Sequence, residues 1–162
     1  MARFLLAAAV WVGLVVGPMR AQSDVGGGDA GGCKLHDHIY TCDGAAFQKA
    51  LADAKTVGVE THNADGVARS QLTDLTKKLG KTIAAPGNPT DLILLMIPIA
   101  PEGVVDGPAQ ADLGTLRIYS ATADGARGHL LWAETVTSDE SLPWPVVVRR
   151  LILQFEAHFK IK

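Results

Sequence analysis

The densest set of reactive side chains in the sequence is His36-Asp37-His38, which lies between Cys33 and Cys42. If this segment is a strand, His36 and His38 project from the same side, because successive side chains of a strand alternate. Two imidazoles placed in this way could chelate Zn or Cu, and no other cofactor is predicted. A mononuclear site needs more ligands, which would have to come from distant histidines, namely His62, His129 or His158. The alternative, which we favour, is two exposed histidines on a short hairpin.

Cys33 and Cys42 are the only two cysteines of the chain, and eight residues separate them. In an oxidising compartment, an isolated pair at this spacing most simply forms a disulfide. Closing so short a loop stabilises a fold by about 2 to 3 kcal/mol. The rival interpretations are ligands of the metal site and a redox pair, although a redox pair more usually has two residues between its sulfurs. We therefore predict a structural disulfide.

Patterns typical of common catalytic sites are not found in the sequence. No Gly-x-Ser-x-Gly elbow surrounds the serines considered as nucleophiles, namely Ser70, Ser120, Ser138 and Ser141. Asp139 and Glu140 are adjacent acids in a polar turn, and nothing places a second acid opposite them as a paired-carboxylate site requires. The run Gly26 to Gly28 neither follows a strand nor opens a helix, so it is not a phosphate-binding loop. The sequence assigns no catalytic residue.

The first residues follow the order of a cleavable signal peptide. Arg3 supplies a positive start, Phe4 to Val16 form an apolar run too short to anchor stably in a bilayer, and the small residue Ala21 precedes Gln22. An uncleaved amino-terminal anchor is the alternative. We predict a signal peptide over residues 1–21 and an exported protein, periplasmic or extracellular. After cleavage we expect no stable transmembrane span, because no later segment is apolar enough.

Composition and charge describe an ordinary, mildly acidic domain. Residues 22–32 are rich in glycine and predict a flexible linker, and residues 33–162 are long enough for a single domain with one core. The chain has 15 basic and 17 acidic residues, a formal net charge of −2. Removing the leader takes away Arg3 and Arg20, which leaves 13 against 17, or −4. This charge argues against nucleic acid as a partner, because phosphate binding needs a concentrated basic face.

Hydrophobic periodicity predicts alternating helices and strands. Helices are expected at Gly44 to Ala54, at Asp65 to Leu79 and after Pro145. The expected strands are Thr56 to Thr61, Leu92 to Ile99, Thr115 to Ser120 and His129 to Thr137. The run Leu92 to Ile99 lacks polar alternation, as a strand covered on both faces does, and is the candidate central strand. The order predicts an α/β fold, an α+β sandwich in which about three helices pack on a mixed sheet of four to five strands ending in an antiparallel hairpin.

Two tryptophans could either complete the core or bind a partner. Trp132 lies in a predicted strand and Trp144 lies between Pro143 and Pro145. We expect both to cap the core, because large aromatic side chains are usually well buried. The functional alternative is that Trp144, with Pro143 and Pro145, forms an exposed anchor for a protein or peptide beside the loop Pro101 to Asp112.

The stretch Asp91-Leu-Ile-Leu-Leu-Met, then Gly114-Thr-Leu-Arg-Ile-Tyr, His129-Leu-Leu-Trp-Ala-Glu and a terminal amphipathic helix resembles a group of uncharacterised exported bacterial envelope proteins. Their small α/β domain is similar to the amino-terminal domain of the Tol-Pal translocation protein and to curli-secretion lipoproteins. The resemblance covers about Thr56 to Lys160 and implies an envelope interaction domain. This chain departs from many of those proteins because no lipid-attachment cysteine closely follows the leader.

Three classes of function remain open. We predict an exported, non-catalytic interaction domain, because a full fold is encoded without a convincing reactive cluster. The alternatives are a small metal-binding protein that uses His36 and His38, and an enzyme whose site is assembled from scattered residues. The expected partner is an envelope or extracellular protein. The oligomeric state is left open, since exposed strands of a mixed sheet can also pair with a second chain.

Overall fold

The computed structural model describes residues 33–36, 39–99 and 111–161. The predicted signal peptide, the predicted linker and most of the loop Pro101 to Asp112 lie outside the described residues. The strands are β1 (Cys33–His36), β2 (Ile39–Cys42), β3 (Thr56–Thr61), β4 (Thr82–Ile83), β5 (Leu92–Pro98), β6 (Ala111–Ala121) and β7 (Arg127–Ser138). The helices are α1 (Gly44–Asp53), α2 (Gly66–Lys78) and α3 (Trp144–Phe159), and a short 3-10 helix spans His62–Ala64.

Five strands form one mixed sheet in the order β4-β3-β5-β6-β7, and β1 and β2 form a separate antiparallel hairpin. In the mixed sheet, β3 runs parallel to β4 and β5, whereas β5 with β6 and β6 with β7 are antiparallel. The predicted α+β class, the central strand and the antiparallel hairpin near the carboxyl end are therefore confirmed. The two-residue β4 was not predicted, and β6 and β7 extend beyond the predicted ends.

β5 lies in the middle of the sheet because its apolar residues are buried on both sides. Leu92, Leu94 and Met96 face all three helices, and each is at most 2 % exposed. The helices meet them with buried side chains, among them Phe47, Leu72, Val148 and Leu151. Fully burying one side chain of this kind contributes about 1.5 to 3 kcal/mol, so this face holds most of the stabilising apolar contacts.

The opposite face of the sheet, which we call the open face, carries Ile93, Leu95 and Tyr119. These residues form a buried cluster that includes no helical residue of the described chain. Arg127 crosses this face, and its guanidinium carbon lies 5.8 Å from the centre of the Tyr119 ring. Its Nε and Nη2 each lie 2.8 Å from Glu60 Oε2. The apolar stem of Arg127 thus helps to cover the face while its charged end joins β7 to β3.

The first two helices each begin at an aspartate N-cap. The Asp43 carboxylate accepts hydrogen bonds from the backbone N–H groups of Ala45 and Ala46, which starts α1. Asp65 caps α2 in the same way. Beyond α2, Gly80 has a φ of +69°, the left-handed conformation that favours glycine after a helix.

Trp132 belongs to an aromatic cluster in the core, as predicted. It is 7 % exposed, and its ring centre lies 5.7 Å from that of Phe47 and 4.7 Å from that of Phe159. Its indole N–H donates to Glu134 Oε2 at 3.1 Å, so the polar atom of the ring is satisfied. The cluster joins α1, β7 and α3.

At Gly114 of β6, α3 packs so closely on the sheet that there is no room for a side chain. A Cβ atom there would lie 2.7 Å from Trp144 Cζ3 and 2.9 Å from Val147 Cγ1, closer than real contacts allow. We expect Gly114→Ala to lower the free energy of unfolding by about 1 to 3 kcal/mol, because the packed helix has to move. Urea unfolding measures this loss. Gly66→Ala is the matched control, since nothing lies within 4 Å of a Cβ at that position, and equal losses in both variants would contradict the packing described.

Candidate functional site

The predicted disulfide is present. The Sγ atoms of Cys33 and Cys42 are bonded at 2.09 Å, and the two residues lie opposite each other in the β1–β2 hairpin. The hairpin packs against β7, and the Arg117 guanidinium carbon lies 5.5 Å from the centre of the Tyr40 ring. Because both sulfurs are in the bond, neither cysteine is available as a thiolate ligand or nucleophile.

The histidines proposed as metal ligands are only partly described. β1 ends at His36, and the His36 side chain, Asp37 and His38 lie outside the described residues. The other candidate ligands occupy separate elements: the 3-10 helix for His62, β7 for His129 and α3 for His158. Within the described ranges, no three His, Cys, Asp or Glu side chains are grouped so that they could hold a metal ion. The Zn or Cu site at His36 and His38 stays a prediction.

Trp144 is the first residue of α3, whereas the sequence placed it in a segment before that helix. Pro143 is the N-cap and Pro145 lies in the first turn, where proline is compatible with a helix. The Trp144 ring is half-buried against the core, and its indole N–H donates to Asp65 Oδ2. The tryptophan therefore joins the start of α3 to the start of α2. A partner-binding role for Trp144, Pro143 and Pro145 stays a prediction.

Asp65 lies where these two helices meet, and its environment favours the charged carboxylate. Burial would raise the pKa of Asp65, but hydrogen bonds from Ala68 N–H, the Trp144 indole and Val67 N–H outweigh burial and lower it. A carboxylate at a helix amino terminus is also stabilised by the helix dipole. The carboxylate accordingly serves as a cap and as a link between α2 and α3.

The sheet feature bordered by a groove is the outer edge of β3. β4 pairs with β3 only at Thr56 and Val57. The last link is the hydrogen bond from Ala84 N–H to the Val57 carbonyl, at 2.9 Å. The chain then turns away, with Gly87 at a φ of +81° and Asn88 N–H bonded to the Ala85 carbonyl. Residues 58–61 consequently have no strand neighbour on this side within the described chain.

Backbone groups of β3 point outward along this open stretch. The carbonyls of Lys55 and Val57 accept hydrogen bonds from Thr82 and Ala84, on the β4 side. Successive residues of a strand direct their N–H and C=O groups to alternate sides, so those of Val59 also point to the β4 side, and the N–H of Thr61 does as well. These groups are a template for hydrogen bonding to an added strand.

A groove of about 420 Å³ follows this edge and reaches both faces of the sheet. On the helix side its wall is made by Thr61, Arg69 and Thr73, and on the open face by residues that include Gly58, Ile93 and Asn88. The returning chain passes beside Gly58, where an added Cβ would lie 3.5 Å from Thr90 Cγ2, an ordinary contact distance. The open edge of β3 and these walls together are the candidate functional site, which we call the edge groove.

The edge groove is lined by two charged side chains, of which one forms an ion pair with a described residue and the other does not. Glu60 is paired with Arg127 on the open face. Arg69 is exposed on the other wall and makes no ion pair with any described residue. The Thr61 hydroxyl is buried and has no hydrogen-bond partner in the described part of the chain. The groove thus presents a positive charge and unused hydrogen-bonding groups.

Sequence reasoning identified β3 but not its open edge. The strand itself was predicted from Thr56 to Thr61, whereas β4 beside it was not predicted. The groove depends on β4 being only two residues long and on β4 and β5 flanking β3, which are properties of tertiary pairing. The proline and glycine soon after Ile83 were the available signal that β4 would stop early.

The fold and site define a class: an α+β sandwich with helices on one face of a mixed sheet and an open parallel edge. No family model matches the sequence, and no curated protein matches it. Among solved structures, the chain is similar to a PelC dodecamer from Paraburkholderia phytofirmans, with 15% sequence identity and a TM-score of 0.34. The similarity covers 64% of this chain and 83% of that chain. At this level it carries no inference about function.

Asp91 fixes the start of β3 and makes the stability of this region depend on pH. Its Oδ2 accepts hydrogen bonds from Thr56 N–H at 2.8 Å and Lys55 N–H at 2.7 Å. The backbone N–H groups of Thr56 and Lys55, followed by the Thr56 hydroxyl, lower the pKa of Asp91 below its ordinary value of 3.8. A lowered folded-state pKa stabilises the fold above the ordinary value, and this stabilisation is lost as pH falls through the folded pKa.

We expect Asp91→Asn to lower the free energy of unfolding at neutral pH by about 1 to 2 kcal/mol. This difference in the free energy of unfolding between wild type and variant should shrink as pH falls below the ordinary value of 3.8 and through the lowered pKa of Asp91, because the wild-type carboxylate then also becomes protonated. Urea unfolding at several pH values measures this. Asp139→Asn is the control, because Asp139 is exposed and accepts no hydrogen bond from a described residue. If the difference in free energy of unfolding between wild type and Asp91→Asn does not change with pH, the role assigned to Asp91 is contradicted.

Proposed function

We propose that this protein is an exported domain that binds another polypeptide in the periplasm or outside the cell. The observation that carries the proposal is the edge groove, in which backbone groups of β3 that have no strand partner in the described chain lie between two walls. Strand edges of this kind are a recurrent mode of polypeptide recognition, because main-chain hydrogen bonds supply affinity and the flanking walls supply selectivity.

Export is supported by two independent features. The amino-terminal residues follow the order of a signal peptide, and the Cys33–Cys42 disulfide is compatible with an oxidising compartment outside the cytoplasm. None of the helices in the described residues is both long enough and apolar enough to cross a membrane. The resemblance to exported envelope proteins points to the same compartment and remains a prediction.

The edge groove supports binding because it is neither filled nor covered by the described chain. Native sheets usually pair, cover or blunt their edges to avoid unwanted association. Here the turn from Ala85 to Asn88 borders the edge without pairing to it. The metal-binding and enzymatic alternatives remain predictions, and no described contact favours either of them.

In situ photo-crosslinking tests the proposal. Replacing Asn88, which lines the groove, with a photoreactive p-benzoylphenylalanine should give a covalent adduct with an exported polypeptide in intact cells. The same replacement at Gln154, which is exposed on α3 and does not line the groove, is the control and should give much less adduct. Mass spectrometry of the adduct identifies the partner and also the mature amino terminus, expected at Gln22.

Two results would contradict the proposed function. An intact amino terminus on protein recovered from the cytoplasm would exclude export. Equal adduct yields from Asn88 and Gln154, or no adduct from either position, would exclude the groove as the binding surface of an exported interaction domain.

A further inference from the structure

We infer that the edge groove binds an extended peptide as an added strand beside β3, with an acidic side chain of the peptide against Arg69. This inference rests on the proposed function and names the kind of partner that the groove would take. It follows from three properties of the groove: backbone groups without a strand partner in the described residues, two walls, and an Arg69 charge that no described acidic residue pairs with.

The outward backbone groups of β3 require the bound peptide to be extended. The outward groups of Val59 and Thr61 are spaced for a neighbouring strand, since β4 already bonds to the same side of β3 one step earlier. A peptide in the groove would pair with β3 on the same side as β4, beginning just beyond the point where β4 ends at Ile83. Residues 58–61 extend over about 13 Å at the usual rise per strand residue, which is room for a peptide segment of about four residues.

The walls fix an alternating pattern in the peptide. Side chains of a strand project alternately to the two faces of the sheet, so every second peptide residue points toward α2 and the others toward the open face. On the α2 side they meet Arg69, Thr73 and the unpartnered Thr61 hydroxyl. On the open face they meet Gly58 and the turn at Pro86. The groove therefore favours acidic or hydroxylated residues at one set of alternate positions and apolar ones at the other.

Charge favours a foreign acidic peptide over a second copy of this chain. The Glu60 carboxylate is already paired with Arg127, which leaves Arg69 as the charge that a ligand can neutralise. Two copies paired edge to edge through β3 would each bring an Arg69 to the shared groove, and these like charges repel. Dimerisation is thus an outcome that the test separates from peptide binding.

Defined peptides test the inference. The probe is a fluorescein-labelled heptapeptide with valine at alternate positions and glutamate between them, and the comparison peptides carry lysine or serine in place of glutamate. We expect the glutamate peptide to bind the mature protein more tightly than the lysine peptide, by about threefold to tenfold in Kd from fluorescence polarisation. Arg69→Glu should reverse this order. Arg150→Glu, an exposed arginine on α3, is the matched control and should leave the order unchanged.

Blocking the peptide backbone separates strand addition from simple charge attraction. N-methyl groups on two adjacent central amides block both hydrogen-bonding edges of the peptide, and should weaken binding by about tenfold or more. The same two groups on the terminal amides leave the central pairing intact and should have little effect. Amide hydrogen exchange should also slow at Val59 on binding, while Val146, exposed on α3, stays unchanged.

Several outcomes overturn the inference. An acidic strand partner would be excluded if the glutamate peptide does not bind at about 1 mM. It would also be excluded if the two N-methylated peptides bind equally well, or if Arg69→Glu leaves the preference for glutamate over lysine unchanged. Concentration-dependent dimerisation that Arg69→Glu strengthens would assign the edge to a second copy. If crosslinking from Asn88 still captures an exported polypeptide in these cases, the proposed function stands and only the mode of binding fails.

Discussion

The fold depends on one constraint, which is that the five consecutive residues Leu92–Met96 of β5 have to be buried on both sides of a sheet. A strand of this kind needs hydrogen-bonded neighbours on each edge and cover on each face. The neighbours are β3 and β6. The helices cover one face, and the long stem of Arg127 contributes to cover on the other. Within the described chain the two faces are therefore covered differently, by three helices on one and in part by an amphipathic side chain on the other.

The edge groove arises from the same constraint. The chain reaches β4 on one side of β3 and has to place β5 on the other side, so the connection at residues 84–91 crosses β3 on the open face at Gly58. A longer β4 would pair with more of β3 but would leave fewer residues for this crossing. Asp91 then anchors the start of β5 to the start of β3 through Lys55 and Thr56. The open edge is the part of β3 that the crossing leaves uncovered.

Much of the fold could be predicted because its determinants are local. The unbroken apolar run of β5, the periodicity of the helices and the capping aspartates act within a few residues of chain. The disulfide followed from a single cysteine pair in a sequence with a predicted signal peptide. The ends of β6 and β7 were missed because pairing between strands, not alternation within each strand, sets them.

The candidate site was less predictable, since it consists of backbone groups and a charged side chain that have no partner in the described chain. An unpaired N–H of Val59 or an unmatched Arg69 is invisible until the neighbours of each are known. Trp144 also depends on its neighbours: an aromatic between two prolines fits both a core position and a binding anchor, and the structure shows that its indole bonds to Asp65 and its ring packs on the core. Composition alone could not separate these two uses of tryptophan.

The walls of the groove also bear on how an open edge can persist without causing aggregation. Edges that associate freely are long and flat, so that a whole sheet can approach them. On β3 the stretch without a strand neighbour in the described chain is short, residues 58–61, with α2 and Arg69 on one side of it and the turn around Gly87 on the other. A single extended chain can enter between these walls, whereas the edge of another folded sheet would bring its own covering elements against them. The same geometry that limits the edge to a few residues therefore makes it selective for a narrow, unpaired segment.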